Sequence, residues 1–321
     1  VVWLGLKHRN PLVFTAANPA IEAGGFIAES KYRILQSLRG AGSAVARARL
    51  LPERDSPAAR LEAAKRFVEE QALDWPVVLK PDAGQRGSGV AVVRDEQALA
   101  SYLAAADFDV LVQEYVPGHE LGVFYYRYPG EPHGRIFSIT DKRMPYVTGN
   151  GRDTLERLIL LDGRAVCMAE HYLAARADQL FCVPAEGERV RLVELGTHCR
   201  GAVFLDGRRF ITPDLEREIE RISRTFDGFF FGRYDLRGDL GEIERGRGFK
   251  VIELNGVTSE ATHIYDPARS LFGAYAILFR QWSIAFEIGR RNHDSGVPVA
   301  SLRLLIDSIK RYRRLSRSHP G

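Results

Sequence analysis

The chain has 321 residues, 45% of them hydrophobic and 27% charged, which is enough for a substantial core and excludes disorder as the default state. A net charge of +4 and a pI near 9.0 permit anionic ligands without implying nucleic acid. Three cysteines (Cys167, Cys182, Cys199) are too few and too scattered for a disulfide framework or a zinc site.

A reduced, cytoplasmic setting is therefore expected. No signal peptide or spanning segment is read in the sequence, because the longest apolar stretch, 271–288, carries Arg280 and Glu287. The sequence opens Val1-Val2-Trp3 without Met, as a fragment of a longer protein would.

In chain order, a short strand is expected at 12–15, then a turn-rich stretch from Asn18 to Gly25. Ser30 caps a helix over 30–38, and Ser56-Pro57 opens another by cap and first-turn proline. Strands at 77–80 and 90–93 then flank a glycine loop, Asp95 caps a helix, and 110–114 is the next strand. Strands at 121–127, 135–140 and 189–195 alternate with helices near 154–161 and 165–174. Thr212-Pro213-Asp214 starts a further helix, and strands at 229–236 and 249–254 follow. A long amphipathic helix covers 267–289, and another starts after Pro298, ending in the basic run from Lys310 to Arg314. Strands mixed with helices, without strict alternation, predict an α+β fold with antiparallel sheets.

Three motifs carry candidate chemistry. Asp235 ends one apolar run, and Glu253 and Asn255 lie on the same side of another, so three hard oxygen donors converge. Such a set suits Mg²⁺, although acids at strand ends also serve as hairpin solvation. Lys80 precedes a loop with Gly84, Gly87 and Gly89, and Arg86 adds charge, so the loop reads as a phosphate cradle or as a flexible β-turn. It is not a Walker A loop, because Val90 stands where Lys-Ser/Thr is required, and it is not a dinucleotide fingerprint, because a strand follows. Gln113-Glu114, Tyr115-Val116-Pro117-Gly118 and Glu120 form a hinge that can offer backbone to an adenine edge and a carboxylate to a ribose.

Taken in order, Ser-Lys opening a helix, Lys-Pro before a glycine loop, Gln-Glu-Tyr-Val-x-Gly-x-Glu, Gly-Arg-x-Asp and Glu-x-Asn resemble the ATP-grasp superfamily of carboxylate–amine ligases, and among them the D-alanine–D-alanine ligases. The resemblance runs from Ser30 to about Pro267. It implies two α/β subdomains with antiparallel sheets sandwiching ATP: 31–120 with the lid, and 121–292 with the metal and substrate sites. Residues 1–30 would be the remnant of, or linker from, an N-terminal domain that is complete in such ligases, and 293–321 a C-terminal helix and basic tail.

By the resemblance, Lys31 and Lys80 touch the ATP phosphates, and Arg86, Gly87, Ser88 and Gly89 form the lid. Gln113 or Glu114, with the backbone of Tyr115 and Val116, meets the adenine, and Glu120 the ribose. Asp235, Glu253 and Asn255 ligate two Mg²⁺ ions, with Mn²⁺ as a substitute. Arg233 stabilises phosphoryl transfer, and Lys142 is an additional phosphate lysine by a looser match. The loop with Thr258, Ser259, Glu260 and His263 borders the second substrate. Glu260 is suited to an ammonium and His263 to proton removal; the rival reading has Thr262 and His263 capping the next helix. His198 and Arg200 offer a further carboxylate site, or are solvated loop residues. The glycine turn around Asn150 is similar to one in peptide-forming ATP-grasp enzymes, with Asn where those have Asp.

The function implied is ATP-dependent amide or peptide bond formation between a small carboxylate and a small amine through an acyl phosphate. The expected partners are small molecules, with no nucleic acid, no membrane in this chain, and a homodimer as the candidate assembly. The rivals are a hydroxyl-phosphorylating kinase on the same scaffold, a non-catalytic ATP-binding module and a polyanion binder resting on the basic tail.

Overall fold

The computed structural model describes residues 1–84, 87–193, 196 and 201–318, with side chains up to 313. The strands among them are β1 (Ala48–Leu51), β2 (Val77–Pro81), β3 (Ala91–Val93), β4 (Val110–Glu114), β5 (His119–Tyr126), β6 (Arg135–Arg143), β7 (Tyr146–Thr148), β8 (Arg189–Arg191), β9 (Val203–Asp206), β10 (Phe231–Gly238) and β11 (Phe249–Asn255). They form a four-stranded sheet ordered β1-β4-β2-β3, a five-stranded sheet ordered β11-β10-β5-β6-β9, and a β7-β8 pair. Every strand ladder is antiparallel, in agreement with the expected α+β class.

The helix starts follow from local chemistry. Ser30, Ser56, Asp95, Thr154 and Thr212 each accept a hydrogen bond from the backbone N–H three residues on, satisfying an otherwise unpaired donor. These caps open Lys31–Ser37, Pro57–Glu70, Glu96–Ala105, Leu155–Leu161 and Pro213–Arg224. The long helix is Leu271–Asp294, capped by Ser270, so Thr262 and His263 do not cap it. They lie instead in a separate single turn, Thr262–Tyr265.

Two other expectations are corrected. Residues expected as a strand at 12–15 form a buried 3₁₀ turn, Val13–Ala16, which has no strand partner and packs on the long helix. Gly289 permits that approach, since a Cβ there would lie 2.1 Å from the Val13 carbonyl oxygen. The strand expected at 189–195 is described only as Arg189–Arg191. The short strands β1, β7 and β9 carry no legible alternation and are found only by their pairing.

Strand alternation sorts the five-stranded sheet into two faces. Leu121, Val123 and Tyr125 of β5 and Tyr234 and Leu236 of β10 pack against Ile34, Leu35, Leu215, Ile219 and Ile222 of two helices. The opposite face is apolar at one end, where Phe124 and Phe231 meet Phe14 and Phe286. Its other end carries the charged residues described below. The four-stranded sheet has its own core, Val77, Leu79, Val110 and Val112 against Phe67, Leu99 and Leu103.

One amide fastens the N-terminal segment to this frame. Asn18 is fully buried; its Nδ2 donates to the carbonyls of Gly24 (3.0 Å) and Phe231 (2.8 Å). Its Oδ1 accepts from the N–H groups of Phe230 (3.0 Å) and Phe231 (2.9 Å), so each hydrogen-bonding position is filled. Asn18→Ala leaves buried backbone groups unpaired and is expected to destabilise the fold by about 2–3 kcal/mol in a urea titration. A loss under about 0.5 kcal/mol would mean that the amide is not a fastening point.

Candidate active site

The charged end of the five-stranded sheet is built by register. Asp235 pairs with Gly122 and Arg237 with Glu120 across β10 and β5, and Glu120 pairs with Lys142 across β5 and β6. The side chains of Arg237, Glu120, Lys142 and Asp235 are buried and, with the half-buried Arg233, form one chain of alternating charge. Arg237 Nε donates to Glu120 Oε2 at 3.0 Å, and Lys142 Nζ donates to Glu120 Oε1 at 2.7 Å. Lys142 Nζ also lies 3.0 Å from Asp235 Oδ1, to which Arg233 Nε donates at 3.2 Å. At the two ends, Arg237 Nη1 reaches the carbonyl of Val116 (3.4 Å), and Arg233 Nη1 that of Glu260 (3.0 Å).

Gly122 leaves room for this chain. A Cβ there would sit 3.4–3.5 Å from Arg233, Asp235 and Lys142, so a larger branched side chain would push into all three. Burial alone would raise the carboxyls of Glu120 and Asp235, but the cations beside them hold both below the usual range. Lys142 is pulled down by burial and raised above its usual value by Asp235 and Glu120. Glu120 and Asp235 are thus favoured as anions and Lys142 as a cation.

The second sheet supplies the other wall. Lys80 at the end of β2 donates to the Ile252 carbonyl at 3.1 Å, and Gln113 of β4 donates to the same oxygen at 3.0 Å. One carbonyl of β11 therefore ties the two sheets. Burial pushes the Lys80 ammonium down to about 8, against the opposing pull of Glu253. Lys31 is brought beside it because Asp82, just after Lys80-Pro81, accepts the N–H of Tyr32 on its Oδ1 (2.8 Å) and that of Lys31 on its carbonyl (3.1 Å). Lys31 Nζ then reaches the Gly84 carbonyl at 2.6 Å and lies 3.7 Å from Glu253 Oε1.

These groups line a cavity of about 740 Å³, within the size range of small-molecule sites. Val78 and Ile252 add apolar surface from the two sheets, and Phe26 and Phe204 add more. Asp235 pairs across the ladder with Glu253, and Arg233 with Asn255, so the three expected oxygen donors share one wall. No cluster of three or more His, Cys, Asp or Glu side chains suited to a metal occurs among the described residues. Two carboxylates and an amide nonetheless fit a hard cation that keeps water and phosphate in its other positions.

Several expected roles are altered by the geometry. Glu120 lines the cavity, but both its oxygens are held by Lys142 and Arg237 rather than left open for a ribose. Glu114 is taken by Arg47 and Lys250, and it fastens β1 and β11 to β4. Val116, Gly87 and Ser88 line the cavity, while Tyr115 and Gly89 do not; the Tyr115 ring instead lies 5.8 Å from the Arg237 guanidinium.

In the following loop, Thr258 donates to the Phe26 carbonyl (2.9 Å) and Ser259 to that of Gly256 (2.6 Å), so both hydroxyls shape the loop. Glu260 lines the cavity and accepts from the Tyr265 hydroxyl at 2.9 Å. His263 is buried away from the cavity, and burial lowers its pKa; the expected proton-removing role does not fit that position. Asn150 lies outside the cavity and turns its own loop by accepting from Arg152 and Asp153 N–H. Arg86, His198 and Arg200 lie outside the described residues.

Arg237, Asp82, Gln281 and the Ile252 carbonyl escaped the sequence reading. Gln281 is buried on the long helix, where it accepts from Ala261 N–H (2.9 Å) and donates to the Ser259 carbonyl (2.7 Å), holding the loop from below. The only signal in the sequence was a lone glutamine inside an apolar helix.

The lowered Lys80 sets a pH dependence. The unfolded lysine, at about 10.5, binds more protons than the folded one between pH 8 and 10.5, so its contribution to stability rises with pH across that window. The stability of the native chain minus that of Lys80→Met should therefore increase by about 2–3 kcal/mol from pH 8 to 10.5 in paired denaturant titrations. A flat difference would show that Lys80 is not held near pH 8.

Residues 28–121 match the family model of the RimK-like ATP-grasp domain. A search of curated proteins found no match. Among solved structures, the chain is similar to a bifunctional glutathione synthetase from Pasteurella multocida (18% identity, TM-score 0.41, covering 78% of this chain and 35% of that one). It is also similar to the VanG D-Ala:D-Ser ligase from Enterococcus faecalis (16%, 0.45, 82% and 64%) and to a D-alanine–D-alanine ligase from Bacillus anthracis complexed with ATP (15%, 0.44, 86% and 71%). The chain thus spans between a third and two thirds of the first two, and at these scores the likeness adds no detail to the site. Residues 28–121 thus match a RimK-like ATP-grasp domain, and the two antiparallel sheets enclose one charged cavity.

Proposed function

We propose that the chain is an ATP-dependent ligase that joins a carboxylate to an amine through an acyl phosphate. The observation that carries this reading is the meeting of Lys31, Lys80 and Arg233 with Asp235, Glu253 and Asn255 in one cavity between two sheets. Cations alone would suit any anion. Cations interleaved with oxygen donors suit a polyphosphate that arrives with a divalent metal.

Phosphoryl transfer asks the protein for alignment and charge neutralisation more than for covalent help. On this reading Lys31 and Lys80 hold the phosphates from the four-stranded sheet, and Arg233 meets the transferring group from β10. Lys142 keeps Asp235 and Glu120 ionised and in place, acting on the reaction through them. Asp235, Glu253 and Asn255 would hold Mg²⁺, which when bound neutralises phosphate charge. The substrate carboxylate attacks the γ-phosphorus and ADP leaves; the amine then attacks the acyl carbon and phosphate leaves. Glu260 is the group suited to the incoming ammonium. Residues 31–120 and 121–292 are the corresponding nucleotide-side and substrate-side subdomains.

Asp235→Asn and Glu253→Gln should each lower ATP-dependent product formation by about 100-fold or more, measured as phosphate release with paired carboxylates and amines. Unchanged activity in both would remove the metal assignment. A stable phosphoester formed with a single hydroxyl substrate would replace the ligase with a kinase. Nucleotide binding without turnover across the substrate pairs would leave a binding module.

A further inference from the structure

Two segments far apart in sequence present one apolar surface. The long helix opens with Leu-Phe-Gly-Ala-Tyr-Ala-Ile-Leu-Phe, residues 271–279, which contains no charged residue. A helix that is apolar all round is normally enclosed, yet none of these residues is buried. Phe272 is 86% exposed and Leu271 68%. The short helix Val2–Lys7 lies beside it, turning Leu4 and Gly5 inward and Trp3 and Leu6 outward. The Trp3 and Phe279 rings stand 5.5 Å apart, which joins the two segments into one patch.

The two chain segments that carry the patch hold basic residues only, of which Arg269 is paired with Asp206. Residues 1–21 and 267–286 carry Lys7, Arg9, Arg269 and Arg280 and neither Asp nor Glu. Lys7 Nζ lies 5.4 Å from the Trp3 ring centroid, at the rim of the patch. Glu287, the next carboxylate along the helix, is held by Arg290 and Arg291. A second copy related by two-fold symmetry would bring Lys7, Arg9 and Arg280 toward cations of the same patch, which disfavours self-association. An anionic lipid surface meets both features. Leu and Phe enter the boundary of the acyl region, Trp and Tyr sit at headgroup level, and Lys and Arg face lipid phosphates.

We propose that Trp3, Leu6, Leu271, Phe272, Tyr275 and Phe279 seat this protein on an anionic lipid surface. The seat is peripheral, since no described helix is long and apolar enough to cross a membrane. It is independent of the ligase reading, because it uses none of the cavity residues.

Flotation of the purified chain with vesicles tests it. The chain is expected to float with equal mixtures of phosphatidylcholine and phosphatidylserine, and less with phosphatidylcholine alone or at high salt. Phe272→Glu combined with Tyr275→Glu should lower partitioning by roughly tenfold or more without changing thermal unfolding, because both side chains are exposed. Lys7→Glu with Arg280→Glu should remove the preference for the anionic lipid. Failure to float with either vesicle would overturn the proposal, as would equal flotation of the Phe272/Tyr275 variant. A dimer in sedimentation that dissociates in that variant, with no vesicle binding, would assign the face to a second copy.

Discussion

The site depends on a largely buried row of charges that alternate in sign across three strands. Arg237, Glu120, Lys142, Asp235 and Arg233 are each held by the next, and the row runs from the hinge carbonyl of Val116 to the loop carbonyl of Glu260. Burying one such ion without its partner is strongly unfavourable, about 3–5 kcal/mol when a buried pair is broken. The row persists because every member lies beside an opposite charge and is hydrogen-bonded. That constraint fixes where Arg233 and Asp235 can point before any ligand arrives, so the charged end of the sheet is preorganised.

The remaining contacts bring the other wall and the loop after Asn255 to this row. The Ile252 carbonyl accepts from Lys80 and Gln113, so the four-stranded sheet docks on β11 at the level of the oxygen donors. The N-terminal segment reaches the same place through glycine. Gly25, with φ of +84°, crosses Gly256 so closely that a Cβ on either would lie 2.6 Å from the other's Cα. The N–H of Val257 then donates to Gly24, and Thr258 to Phe26, while Gln281 holds Ser259 and Ala261 from the opposite side. The loop after Asn255 is therefore fixed by two segments that the sequence does not connect to it.

Much of the frame was legible. Cap residues at Ser30, Ser56, Asp95 and Thr212 announced four helices, because a side-chain oxygen before a first turn has one dominant use. Apolar runs marked β5, β10 and β11, which were read as strands at 121–127, 229–236 and 249–254. The same signal failed for β1, β7 and β9, which are short and gain order only from neighbours. It also misled at 12–15, where an apolar run found a helix to cover rather than a strand to pair. Among site residues, Asp235, Glu253, Asn255, Lys31, Lys80 and Arg233 all line the cavity. Glu114 and Glu120 do as well, but with their carboxylates occupied by cations.

The sequence by itself determined the kinds of groups available: lysines beside a glycine loop, and oxygen donors in strand ends whose spacing puts them on one side. Spacing within a strand is local, so it can be read without the fold. Only the tertiary structure decided which charges neutralise one another. Glu120 meets Arg237 across a strand pair, and Glu114 meets Lys250 across a sheet boundary, separations of 117 and 136 residues. Coulomb attraction acts on distance in space, and the distance between residues so far apart along the chain is set by packing alone.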